Sequence, residues 1–154
     1  MSKQKVLFIC THNSARSQMS EAYLRKLAGD RFEVESGGFE PTTINPLAVE
    51  VMKEEDIDIS GNMTNSVFEL YKEGRLYDYV ITVCNDSENL CPIFPGITRK
   101  LHWAFEDPAS FTGSKEKKLA KTREVRDRIK QIIQDWLKEM PQELVNLPSI
   151  KFPF

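Results

Sequence analysis

The chain has 154 residues, 40% of them apolar and 29% charged, which is enough for one globular domain with its own core. A net charge of −2 and a pI near 5.8 exclude a nucleic-acid surface and a polybasic membrane anchor. An anionic ligand would have to be met by local positive charge rather than by an overall field.

The first element is a buried strand over 6–9, ending at Cys10. The apolar run is only five residues long and follows Lys3 and Lys5. That is too short for a signal-peptide core or a membrane span, so a cytoplasmic protein with no membrane partner is expected. Residues 17–28 read as a helix, with Met19, Ala22, Tyr23 and Leu27 near helical spacing and Gly29 as its stop. A second short strand covers 32–35 and should be halted by Gly37 and Gly38. Pro46 opens a helix at its favoured first-turn position, with Leu47, Val51 and Met52 inward. A third helix spans 65–73 and closes near Gly74.

Residues 77–83, β-branched and aromatic, read as a strand, and 99–103 as a shorter one. The clearest helix is 118–140, with Val125, Ile129, Ile132, Ile133, Trp136, Leu137 and Met140 on one stripe and Pro141 as its stop. Residues 1–140 thus form the domain. The tail 141–154, with three prolines and two phenylalanines, is expected to lie against the body or a partner.

Strands alternating with helices imply a single α/β domain. Its parallel sheet has helices on both faces, and its strand carboxyl ends share one edge, where ligands bind. That topology gathers Cys10, Gly37, Gly38, Cys84 and Asp107 on one rim. The three cysteines, Cys10, Cys84 and Cys91, are an odd number. With no CxxC and only His12 and His102 as imidazoles, they fit neither a disulfide framework nor a zinc site, so no metal is expected.

The loop "CTHNSARS" joins the first strand to the first helix. Helix N-termini present unpartnered N–H groups, and successive N–H groups in such a turn form a concave anion site. Thr11, His12, Asn13, Ser14, Ala15, Arg16 and Ser17 are the expected binding set. The helix dipole favours thiolate over thiol, which makes Cys10 the nucleophile. Arg16 supplies a rigid fork for a tetrahedral oxyanion, Ser17 can donate to the sulfur, and Asn13 can hold the loop through side-chain bonds to the backbone. The lysine of a nucleotide-binding loop is absent. Cys-x5-Arg by itself also suits a buried strand-end cysteine and a solvated arginine; the strand before, the helix after and the following serine favour the anion loop. Cys84 and Cys91 bracket a polar stretch, a poor place for an inert thiol and a suitable one for a moving thiol.

These residues resemble a known family. "CTHNSARS" resembles the Cys-x5-Arg-Ser/Thr loop of the low-molecular-weight protein tyrosine phosphatases. With "VCNDSENLC" and "HWAFEDPA", the chain is more closely similar to the thioredoxin-coupled arsenate reductases built on that phosphatase fold. The resemblance covers roughly 4–140 and implies a central four-stranded parallel sheet.

It also implies a mechanism. Cys10 attacks arsenate, Cys84 attacks Cys10 as arsenite leaves, and Cys91 resolves the Cys10–Cys84 disulfide. Because disulfide Cα atoms lie within about 7 Å, the cysteine loop must move. Thioredoxin supplies the electrons and no cofactor is tightly bound. Asp107 corresponds to the general acid, with Glu106 a weaker substitute. Ala109 stands where phosphatases of this fold usually carry an aromatic wall, which favours a small inorganic anion; phosphate and sulfate would compete with arsenate. His12 is expected to face the loop backbone and His102 to be structural. Some relatives bind potassium through residues matching Asn13, Glu21 and Ser36 plus an aspartate; the matching position here is Asn65, so tight potassium dependence is not expected.

Two other readings carry distinct expectations. A low-molecular-weight phosphatase would need neither Cys84 nor Cys91. A non-catalytic oxyanion or redox sensor would bind anion without turnover, with the apolar tail as a partner surface. A monomer is expected.

Overall fold

The computed structural model describes residues 3–84 and 99–140. Its elements are β1 (Gln4–Cys10), α1 (Arg16–Ala28), β2 (Phe32–Gly38), α2 (Pro46–Lys53), α3 (Val67–Lys72), β3 (Tyr79–Thr82), β4 (Arg99–His102), a 3-10 turn (Pro108–Ser110) and α4 (Lys115–Glu139). All three strand pairings are parallel, and the order across the sheet is β2-β1-β3-β4. Cys91 and the tail 141–154 lie outside the described residues.

Alternation along β1 sends Val6, Phe8 and Cys10 to one face and Leu7 and Ile9 to the other. The first set joins the main core, with Met19, Tyr23 and Leu24 of α1, Val51 and Met52 of α2, and Val125, Ile129 and Ile133 of α4. The second set packs with Val67, Leu70, Tyr77 and Val80. Both faces of β1 are therefore dry, which is why 6–10 reads as an unbroken apolar run. Burial of each large side chain contributes about 1.5–3 kcal/mol, so β1 is firmly fixed where it delivers Cys10.

Beyond shifts of one or two residues at element ends, three details differ from expectation. β2 does not stop before its glycines; it continues through Gly37 and Gly38, which pair with Ile9 and Cys10. Glycine serves there because the backbone approaches the Cys10 loop too closely for a side chain. A Cβ on Gly38 would lie 2.7 Å from the Asn13 nitrogen and 2.8 Å from the Thr11 oxygen. In α2 the inward residue of the first turn is Ala48 rather than the half-buried Leu47, because Ala48 is the one in phase with Val51 and Met52. Finally, α4 begins at Lys115, three residues earlier than expected, behind the cap Ser114, whose hydroxyl accepts from the Lys117 N–H.

Candidate active site

The carboxyl ends of β1, β2, β3 and β4 lead to Cys10, Gly38, Cys84 and the Phe105–Asp107 segment respectively. The loop after β1 is shaped by where its carbonyls go. Those of Cys10, Thr11, His12 and Ser14 accept from the N–H groups of Phe39, Glu40, Thr42 and Asn45. In a planar trans peptide the following N–H points the opposite way, so the N–H edges turn toward the concave side of the loop. One of them, Asn13 N–H, donates to the Cys10 sulfur at 3.2 Å. Asn13 allows the turn by adopting φ 54°, a region asparagine tolerates better than most residues.

The start of α1 fits the same purpose. α2, α3, α4 and the 3-10 turn each begin on a side chain that accepts from the first turn: Asn45, Ser66, Ser114 and Asp107. α1 begins on Ala15, with no side-chain cap. Its N-terminal donors and dipole face the loop that holds Cys10.

Cys10 is 2% exposed and its sulfur lies 2.9 Å from the Ser17 hydroxyl, within reach of the donation the sequence suggested. Asn13 holds the loop as expected, but mainly through side chains. Its Nδ2 donates to Ser17 Oγ at 2.7 Å and Ser36 Oγ at 2.9 Å. Its Oδ1 accepts from the backbone N–H of Asn65 at 2.8 Å and from Gln18 Nε2 at 3.2 Å. Thr11 and His12 are half-buried, while Ser14 and Ala15 are buried. His12 Nδ1 meets the Glu40 carbonyl at 2.9 Å, across the loop rather than within it. His102 meets Thr82 at 2.6 Å, a contact between neighbouring strands.

Arg16 is 2% exposed and lies against the segment that carries the expected acid. Its NH1 donates to the Phe105 carbonyl at 3.3 Å, and its NH2 lies 3.5 Å from Asp107 Oδ2. The other Asp107 oxygen accepts from Ala109 N–H at 2.9 Å, which fixes the carboxylate at the head of the 3-10 turn. Asp107 is thus the carboxylate that meets Arg16. Glu106 instead lines a recess of about 490 Å³ with Phe105, Asp107, Phe111 and Lys121, and Cys10 is not among its walls.

Cys84 lies just beyond β3, fully buried, its sulfhydryl 3.5 Å from the Ile9 carbonyl. Ile9 is the residue before the nucleophile, so the two described thiols sit on adjacent strands at one end of the sheet.

The residues matching a potassium site also converge. Ser36 Oγ donates to Glu21 Oε1, and Asn65 Nδ2 donates to the Ser36 carbonyl at 3.1 Å. Glu21 Oε2 is already paired with Arg25 NH2 at 2.6 Å, and the same nitrogen donates to the Val34 carbonyl at 2.7 Å. The i,i+4 spacing of Glu21 and Arg25 is the signal that could have revealed that pair. Among the described residues no group of three or more His, Cys, Asp or Glu side chains is arranged to hold a metal ion, and no helix is long and apolar enough to cross a membrane. Gln18 carried no sequence signal, and Gly38 was legible as a rim residue but not as the close neighbour of the Cys10 loop, because Met63 and Asn62 lie 45 and 44 positions from Gln18 and Asn13 lies 25 from Gly38.

Comparison with known proteins agrees with this geometry. Residues 5–146 match the family of low molecular weight phosphotyrosine protein phosphatases. The chain is 42% identical over 136 residues to arsenate reductase 2 of Staphylococcus haemolyticus, covering 88% of this chain and 98% of that one. Among solved structures, an arsenate reductase in the phosphate binding state superposes with a TM-score of 0.75 at 30% identity, over 90% of this chain and 99% of that one. A thioredoxin-dependent arsenate reductase of Corynebacterium glutamicum gives a TM-score of 0.67 at 34% identity, over 88% of this chain and 61% of that one.

Proposed function

This chain belongs to the low molecular weight phosphotyrosine protein phosphatase family, and from that premise we propose that it is an arsenate reductase whose electrons come from a thioredoxin-like dithiol. The observation that carries the reading is the second buried thiol. Cys84 hangs on the carbonyl of Ile9, the residue before the nucleophile, where ester hydrolysis has no use for it.

The loop N–H groups and the Arg16 guanidinium bind the tetrahedral oxyanion; on binding, Arg16 exchanges part of its contact with the Phe105 segment for the ligand. The Cys10 thiolate attacks arsenic, an As–O bond breaks, and Asp107 delivers a proton to the departing oxygen, so that water leaves. The Cys84 thiolate then attacks the Cys10 sulfur. The S–As bond breaks with its electron pair remaining on arsenic, As(V) becomes As(III), and arsenite departs, leaving a Cys10–Cys84 disulfide. Cys91 attacks Cys84, releases Cys10 as thiolate and leaves Cys84–Cys91, which an external dithiol reduces. The exposed Ala109 beside Asp107 offers no wall to an aryl group. Any hydrolysis of aryl phosphates at the same loop would therefore be slow.

Arsenate-dependent NADPH oxidation in the presence of thioredoxin and thioredoxin reductase tests this. Steady turnover should be abolished by Cys10→Ser, Cys84→Ser and Cys91→Ser separately. Full turnover in Cys84→Ser would remove the relay. Rapid aryl phosphate hydrolysis with no response to arsenate would assign the chain to phosphatase chemistry.

A further inference from the structure

We propose that Gln18 is a positioning residue that sets the charge state of Cys10 through two oriented carboxamides. The inference deepens the reading of Cys10 as the nucleophile and rests on it.

Gln18 is 1% exposed, although it belongs to a residue type usually found at surfaces. Its three side-chain hydrogen bonds link α1 to the 62–65 segment or to Asn13. Its Nε2 donates to the Met63 carbonyl at 3.2 Å and to Asn13 Oδ1 at 3.2 Å, and its Oε1 accepts from Asn62 Nδ2 at 3.0 Å. A carbonyl can only accept, so Met63 fixes which end of the Gln18 amide is nitrogen. A backbone N–H can only donate, so the Asn65 N–H at 2.8 Å fixes which end of the Asn13 amide is oxygen. Neither assignment rests on a hydroxyl, whose hydrogen can rotate to suit.

The consequence runs inward. With Oδ1 held by Asn65 and Gln18, the Asn13 Nδ2 group must face Ser17 Oγ and Ser36 Oγ, and it donates to both. Ser17 Oγ then accepts from Asn13 on one lone pair, which leaves its own hydrogen for the Cys10 sulfur at 2.9 Å. A hydroxyl that donates favours the thiolate, whereas one that accepts from S–H favours the thiol. Gln18 supplies one of the two donors that hold Asn13 in the orientation that leads to the first outcome. All four side chains, Gln18, Asn13, Ser17 and Ser36, are at most 1% exposed, so water does not compete for these bonds.

The test is the pH profile of Cys10 alkylation by iodoacetamide, in a background where Cys84 and Cys91 are serine. Gln18→Met keeps the side-chain length and removes both amide functions. The pH at half-maximal rate should rise, by less than the roughly one unit that loss of a whole hydrogen bond to the sulfur would give, because the Asn65 N–H still holds Asn13 Oδ1. The same substitution in a Ser17→Ala background should move the profile by much less, because no hydroxyl is left to orient. Equal shifts in both backgrounds, or none in either, would overturn the proposal. If Gln18→Met does not fold, Asn62→Ala removes only the outermost bond of the chain; it should shift the profile in the same direction, and no shift would count against the proposal. Alkylation does not require arsenate, so these outcomes stand apart from whether the wild type reduces arsenate.

Discussion

Gly38→Ala is the smallest change that tests whether the loop geometry governs the chemistry. The added methyl would stand 2.7 Å from the Asn13 nitrogen, 2.8 Å from the His12 carbonyl carbon and 2.8 Å from the Thr11 oxygen. All three are backbone atoms of the anion loop, so no flexible side chain can swing aside. Ordinary contact begins at 3.4 Å, so β2 and the loop must separate by about 0.7 Å. The loop has little freedom to yield, since its carbonyls are bonded to residues 39–45 and Asn13 to Asn65. Overpacking of this kind costs about 1–3 kcal/mol of stability. A loop shifted by a substantial part of an ångström costs about 100-fold in kcat/KM for arsenate, or about 2.7 kcal/mol of transition-state stabilisation. Gly61→Ala is the matched control, because a Cβ there meets nothing within 4 Å. The assay is the thioredoxin-coupled rate beside urea denaturation of each variant. A Gly38→Ala protein as active and as stable as Gly61→Ala would refute the reasoning.

Two further predictions concern charge. The Glu54 carboxylate is held down to about 2 from its ordinary 4.5, first by the hydrogen bonds from Arg123 and then by Arg126, which tie α4 to the end of α2. A lowered folded-state value means the stabilisation is complete above the ordinary value and is lost as pH falls toward 2. With the carboxylate 42% exposed, it amounts to at most about 1 kcal/mol. In denaturation curves Glu54→Gln should be the less stable protein at pH 6 and indistinguishable from wild type near pH 2; a gap that persists at low pH would contradict the assignment. Because Arg25 already pairs with Glu21, turnover and Tm should be equal in potassium and sodium chloride at the same ionic strength, and a specific potassium activation would show that Arg25 yields to the ion.

What could be read from the sequence was what local chemistry dictates. β1 was visible because both its faces are buried. The anion loop was visible because a strand, a polar turn and an uncapped helix start are contiguous in the chain. The parallel topology then placed Cys84 and Asp107 on the same rim without any contact being known. The supports from distant segments were not visible in the residues themselves; only the resemblance grouped Asn13 with Ser36 and Asn65. Asn13 takes its orientation from Asn65, 52 positions away, and Gln18 from Met63, 45 positions away. Gly38 resembled a strand terminator because glycine weakens strands, yet tertiary packing needed a residue without a Cβ inside the strand. In α4 the periodicity of the apolar stripe outweighed a capping serine in plain view, and the first turn was missed.

The central claim is that two thiols, not water, complete the reaction that Cys10 begins. The most direct measurement is a single turnover of the Cys91→Ser protein with arsenate and no external reductant, followed by acid quench, arsenite quantification and peptide mass spectrometry. The account predicts one arsenite released per protein and a disulfide joining Cys10 to Cys84. Arsenite released with both thiols still reduced, or no arsenite at all from a folded protein that binds arsenate, would contradict it.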